Sequence, residues 1–226
     1  MYIGHFAPAF AASAASPEAP RLGTLFMAAQ LVDLAFFTFV LLGVEHMRVV
    51  PGITAMNPLD LHDMPFTHSL LACAVWGIGF GLIVWGTMRS IAAGIWTGLV
   101  VVSHWFVDLL VHRPDLTLAG APPKLGLGLW DHRMAAMPLE LGLTGLAFWF
   151  YLSRTRGPIG PALILFAVML LFQAANWFGP QPAEMTMALP LTALVSYAVL
   201  IALARWVGTT RRHRHAAGLA IASWRR

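Results

Sequence analysis

Apolar residues run almost unbroken through six stretches of this chain, at about 22–44, 67–88, 90–113, 136–153, 160–178 and 188–207. A helix needs about 20 such residues to cross a hydrocarbon layer about 30 Å thick, so each stretch predicts a transmembrane helix. The short alternating segments that mark a membrane β-barrel are not the pattern here. Gly157-Pro158 and Gly179-Pro180-Gln181-Pro182 break the later stretches apart cleanly. Backbone polar groups in lipid must be satisfied within a helix or a closed barrel, so the expected fold is all-α: a polytopic helical bundle with about six transmembrane helices. It forms one domain over residues 1–226, with 1–20 as a short N-terminal segment and 208–226 as a basic tail. No internal repeat is visible, which gives an inverted-repeat transporter no direct support.

Composition agrees with the pattern. Of 226 residues, 58% are hydrophobic and 11% charged, with a mean hydropathy of +0.72. Soluble domains carry about twice that charged fraction. The net charge of +4 comes from Arg residues at helix ends, notably Arg211, Arg212, Arg214, Arg225 and Arg226, which suits lipid headgroups and excludes a nucleic-acid partner. Placing both termini in the cytoplasm puts ten Lys/Arg inside against four outside (Arg48, Arg113, Lys124, Arg133), as the positive-inside rule prefers. Segments 45–66 and 114–135 are then the long external loops. The single Cys73 excludes an intrachain disulfide, and the N-terminal stretch, with no leading basic residue and interrupted by His5 and Pro8, is expected to remain uncleaved.

Against this oily background the polar residues stand out. His104 and Asp108 lie one turn apart in the third span, and an ionised carboxylate at that depth costs about 3 kcal/mol. His104, Asp108 and His112 follow one helix face, drifting about 40° per four residues. Asp33 sits halfway along the first span, His68 opens the second, and Glu140 lies near the outer start of the fourth. Imidazoles and carboxylates from separate helices converging in a bundle core suit a divalent cation, zinc foremost. The expected ligands are His68, His104 and Asp108, completed by Asp33 and by the His5 that the resemblance below adds, with Asp63 or Glu140 as general base or orienting group. A buried hydrogen-bonded pair or proton relay remains open for His104 and Asp108, a helix-to-helix hydrogen bond for Asp33, and an ordinary interfacial cluster for His112, Arg113 and Asp115.

Pro65-Phe66-Thr67-His68-Ser69-Leu70-Leu71 with Ser103-His104-Trp105-Phe106-Val107-Asp108 resembles the bacterial membrane-bound, metal-dependent hydrolases of the LexA-regulated inner-membrane group. Gly4-His5-Phe6-Ala7-Pro8 before the first span fits the early His of that group. Where the family often carries a basic His-Arg-Gly step, this chain has Asp63-Met64-Pro65-Phe66. The order His5, Asp33, His68, His104, Asp108 is also similar to that of zinc-dependent phospholipases C. The first resemblance implies an inner-membrane hydrolase acting on an amphiphilic or lipid-linked small molecule at the bilayer, and the second implies that the bond cleaved is a phosphoester. The alternative is an ion- or proton-coupled transporter or permease using the same His/Asp cluster, and a third reading is a structural membrane protein. Charge bias sets His5 at the end opposite His68 and His104, so His5 joins them only if residues 1–16 fold back into the bundle.

Overall fold

In the computed structural model, which describes residues 1–214, the chain is a bundle of α-helices with three small two-stranded sheets at its ends. Six helices are long and apolar enough to span a membrane: α2 (Leu22–Leu42), α3 (Leu70–Met88), α4 (Ile91–Val111), α5 (Arg133–Arg154), α6 (Gly160–Phe178) and α7 (Ala188–Thr210). The chain is therefore an integral membrane protein of the all-α polytopic kind. The strands are β1 (His46–Val49) paired with β2 (Leu59–Asp63), β3 (Leu116–Thr117) with β4 (Lys124–Leu125), and β5 (Thr155–Arg156) with β6 (Arg212–His213), all antiparallel.

Helix ends follow local chemistry. The Ser69 and Ser90 hydroxyls cap α3 and α4 by accepting the backbone N–H of Ala72 and Ala93. Gly43 closes α2 in the left-handed conformation, φ 69°, with its N–H directed to the Phe39 and Val40 carbonyls. Between the two serine caps, α3 and α4 form a tight antiparallel hairpin. A Cβ on Gly81 would stand 2.8 Å from the Gly94 carbonyl oxygen, and one on Gly77 would stand 2.9 Å from that of Gly98. Only glycine admits this approach. The contact fixes the rotation of α4, so that His104 and Asp108 are buried inside the bundle while Leu99 and Phe106 face outward.

The short N-terminal segment is built into the bundle: a 3-10 turn, Ile3–Phe6, leads into α1 (Ala7–Ala15), and Ile3, Phe6, Ala9 and Phe10 are fully buried. Phe6 stacks on Phe26 at 4.4 Å, while Phe10 meets Phe26 edge-on at 5.1 Å and Phe148 at 5.4 Å. With nine residues, α1 is too short to register as a span, and His5 and Pro8 interrupt its apolar run. Folded back between α2 and α5, it carries His5 to the centre of the molecule, the condition on which His5 could join the other donors.

The basic tail also begins later than 208. Arg211 is buried, and its guanidinium donates to the Thr155 hydroxyl and to the Gly157 and Pro158 carbonyls, tying the end of α7 to the α5–α6 turn. Arg225 and Arg226 lie outside the described residues.

Candidate metal centre

Five of the expected side chains meet at one point inside the bundle. Asp33 comes from the middle of α2, His68 from the residue before the α3 cap, His104 and Asp108 from successive turns of α4, and His5 from the 3-10 turn. His68 Nε2 is 3.3 Å from Asp33 Oδ1 and 3.7 Å from Asp108 Oδ2. His104 Nε2 is 3.5 Å from Asp33 Oδ1 and 3.2 Å from Asp108 Oδ2. His5 Nε2 is 2.9 Å from the other oxygen, Asp108 Oδ1, and the His5 ring stacks on His104 at 3.8 Å. Two overlapping groups, Asp33–His68–His104 and His5–His104–Asp108, each bring their donor atoms within 4.8 Å of one another, close enough to hold a metal ion.

The hydrogen bonds behind the cluster determine which nitrogen each ring offers. His104 Nδ1 lies 3.0 Å from the Ala29 carbonyl, which can only accept, so that nitrogen carries the proton. His68 Nδ1 lies 2.8 Å from the Thr67 hydroxyl, whose own proton goes to Glu45 Oε2 at 2.7 Å. Glu45 also accepts the backbone N–H of Phe66 and Thr67, so it is anchored on the turn that delivers His68. Both rings, if neutral, therefore aim an Nε2 lone pair at carboxylate oxygens. Lone pair against lone pair is repulsive unless a cation lies between them. His104 Nε2, fully buried, has no hydrogen-bond partner. Donors bound about 2.0–2.2 Å from a shared cation stand roughly 3.0–3.5 Å apart, close to the 3.2–3.7 Å found here. Backing acceptors of this type are the usual surroundings of metal-bound histidines. The donor set fits a divalent ion.

Around these five lie groups that the linear pattern marked weakly or not at all. His112, on the face of His104 and Asp108 and open to an interfacial reading, is buried, with Nδ1 2.8 Å from Asp115 Oδ1, Nε2 3.3 Å from Asp108 Oδ1, and its ring against Trp130 at 4.3 Å. Burial opposes its charge, but Asp108 and Asp115 on either side lift its pKa to about 9. Burial and the neighbouring His104 instead push His5 down to about 3. The Met1 amine is held 2.8 Å from Asp108 Oδ1; burial works against its charge, and Asp108 and Glu140 more than compensate. Tyr197 on α7 donates its hydroxyl to Asp33 Oδ2 at 3.2 Å. The spacing of His112, four residues past Asp108, was the available signal for it. Nothing in the pattern of α7 singles out Tyr197.

The two expected bases sit elsewhere. Asp63 pairs with His46 Nδ1 at 2.7 Å on the exposed β1–β2 hairpin, outside the buried cluster. Glu140 is buried, but its Oε1 accepts the backbone N–H groups of Tyr2 at 2.6 Å and Gly4 at 3.1 Å, so it clamps the N-terminal turn. Gln173 on α6 completes that clamp by accepting the N–H of Ile3. Asp60 joins Arg48 and Arg113 across the hairpin. Comparison of the chain with protein-family models, curated proteins and solved structures finds no match.

Proposed function

We propose that this chain is a membrane-embedded hydrolase dependent on a divalent cation, zinc being the ion that a mixed imidazole–carboxylate donor set suits best. The carrying observation is the convergence of the His68 and His104 Nε2 atoms on the carboxylates of Asp33 and Asp108, with both Nδ1 atoms engaged behind them. Asp33, His68, His104 and Asp108 hold the ion, and His5 adjoins through the group it shares with His104 and Asp108. A divalent cation supplies Lewis-acid polarisation of an ester oxygen and lowers the pKa of a bound water toward neutrality.

The protein's own part is orientation and exclusion of water. Asp33 is the most open donor, its side chain 12% exposed against 3% or less for His68, His104 and Asp108, so substrate approaches from its side. The Tyr197 hydroxyl holds Asp33 Oδ2 and thereby keeps Oδ1 turned to the histidines. Asp63 and Glu140 are committed to His46 and to the N-terminal turn, and neither takes the base role in this reading. A centre buried among membrane helices favours an amphiphilic or lipid-linked phosphoester that enters from the bilayer. The Lys/Arg asymmetry supports a cytoplasmic location for both termini, and the resemblance to bacterial inner-membrane hydrolases supports that membrane.

Full-length protein purified in detergent tests the reading by elemental analysis and by hydrolysis of phospholipid and lipid-linked phosphoesters in mixed micelles. Stoichiometric zinc, lost with its activity in His104→Ala and on chelation, is the expected result. A metal-free protein that moves protons or ions across vesicles, with flux abolished in Asp108→Asn, would replace the hydrolase by the transporter.

A further inference from the structure

The Asp108 carboxylate is divided between two environments. Oδ2 faces His104 Nε2 at 3.2 Å and His68 Nε2 at 3.7 Å. Oδ1 points the other way, to the Met1 amine at 2.8 Å, His5 Nε2 at 2.9 Å and His112 Nε2 at 3.3 Å. His112 is itself pinned: Asp115 Oδ1 receives its Nδ1 proton at 2.8 Å, and Trp130 covers the ring. Asp115 can only accept, so its bond fixes the face His112 turns toward Asp108. His112 lies at the last turn of α4, one turn beyond Asp108, so the same helix that carries the ligand carries its restraint. With Oδ1 engaged by the Met1 amine and two imidazoles on that side, of which His112 is the one carried by α4 itself, a cation among Asp33, His68 and His104 meets Oδ2.

We propose that His112, oriented by Asp115, is a positioning residue that holds Asp108 to one-oxygen coordination and so leaves a coordination position open for substrate. Freed of this restraint, a carboxylate beside a divalent ion can swing to bind through both oxygens and close that position. His112 is then no ligand, and no step of the chemistry passes through it. This rests on the reading of the cluster as a metal centre, and it assigns His112 and Asp115 a task that an interfacial ion pair would not have.

The test is metal binding by full-length protein in detergent, with Zn2+ affinity read by chelator competition and geometry read from the visible spectrum of the Co2+-loaded form. Loss of an orienting partner behind a ligand weakens metal affinity by about 10–100-fold. His112→Ala should show that loss with unchanged stoichiometry and a weaker Co2+ absorption, the sign of a higher coordination number. His112→Gln, whose amide N–H can still reach Oδ1, should recover most of both. Should His112→Ala fail to fold, Asp115→Ala, which leaves the ring in place without its orienting partner, should give the same spectral change with a smaller loss of affinity. Wild-type affinity and spectrum in these variants, with only a lower melting temperature, would overturn the proposal and leave the metal centre standing. Loss of one whole ion from His112→Ala would make His112 a ligand, which also overturns it. A wild-type protein that binds neither Zn2+ nor Co2+ would remove the metal centre itself, and the proposal with it.

Discussion

Glu140 separates two roles that one substitution pair can tell apart. Its Oε1 accepts the N–H groups of Tyr2 and Gly4, which carry the turn holding His5. Glu140→Ala removes the acceptor and leaves two buried donors unpaired, at about 1–3 kcal/mol each. The resulting loss of about 2–6 kcal/mol corresponds to roughly a 30- to 20,000-fold fall in the docking equilibrium constant of the N-terminal segment. Glu140→Gln keeps a carbonyl oxygen at the Oε1 position for both donors. It disturbs the long contact with Gln173 Nε2, 3.4 Å, and removes a charge that favours the Met1 ammonium, so docking should fall much less than in Glu140→Ala. Hydrogen–deuterium exchange of residues 1–20 in detergent reads docking directly, and Zn2+ competition reads the consequence at His5. The expected order is rapid exchange and weakened metal binding in Glu140→Ala, with near wild-type behaviour in Glu140→Gln. Suppose instead that Glu140→Gln keeps the segment protected yet loses hydrolysis as completely as Glu140→Ala. The carboxylate would then be acting in the chemistry, and the clamp assignment would fall.

The remaining expectations are more compact. Thr67→Val removes the acceptor for His68 Nδ1 and breaks its link to Glu45, so metal affinity should drop about 10–100-fold while the fold persists, checked by chelator competition and circular dichroism. His5 has a folded pKa depressed from 6.5 to about 3. The folded state therefore binds its proton less readily than the unfolded chain, and stability should begin to fall as pH drops below about 6.5 and go on falling toward 3. Exchange of residues 3–15 in the metal-free protein should accelerate across that window, whereas flat protection would contradict it. Arg211→Ala strips a buried guanidinium from the Thr155, Gly157 and Pro158 acceptors, for an expected loss of about 2–5 kcal/mol. Proteolysis between α5 and α6, together with a lowered melting temperature, would report it.

Much of the membrane-spanning fold was legible in the chain because lipid leaves so few choices. Continuous apolar runs bounded by Gly-Pro steps admit little besides helices, and the observed spans agree with the apolar stretches to within a few residues. His104 and Asp108 were legible for the same reason, since polar groups four apart on an apolar helix carry a visible cost. His68 followed because capping accounts for its neighbours and not for an imidazole. The N-terminal turn was not legible. Its burial depends on Phe10 packing against Phe26 and Phe148, and on the Glu140 clamp from residues more than 130 positions away. The same limit hid Tyr197, whose tie to Asp33 spans 164 positions. Asp63 and Glu140 show what the linear pattern leaves out. A carboxylate near a metal-ligand pattern suggests a base, and only the fold shows that Asp63 is paired with His46 and that Glu140 accepts the N–H groups of Tyr2 and Gly4.

Charge distinguishes the metal reading from a proton relay built on the same atoms. Asp33 and Asp108 bring two negative charges into the buried cluster; the Met1 amine, 2.8 Å from Asp108 Oδ1, offsets one of them, and His112, raised to about 9, is matched by Asp115. A relay would need His68 or His104 to carry the remaining balancing proton on Nε2. Either Nε2–H would then be shared between two carboxylate oxygens at 3.2–3.7 Å, long for charge-assisted bonds that normally close to 2.7–2.9 Å. A divalent ion between Asp33 and Asp108 needs no proton on either Nε2 and leaves the rings neutral, with their Nδ1 protons directed to Ala29 and Thr67 where the hydrogen bonds place them. The long separations and the unpartnered His104 Nε2, awkward for a relay, are then both consequences of the same occupant.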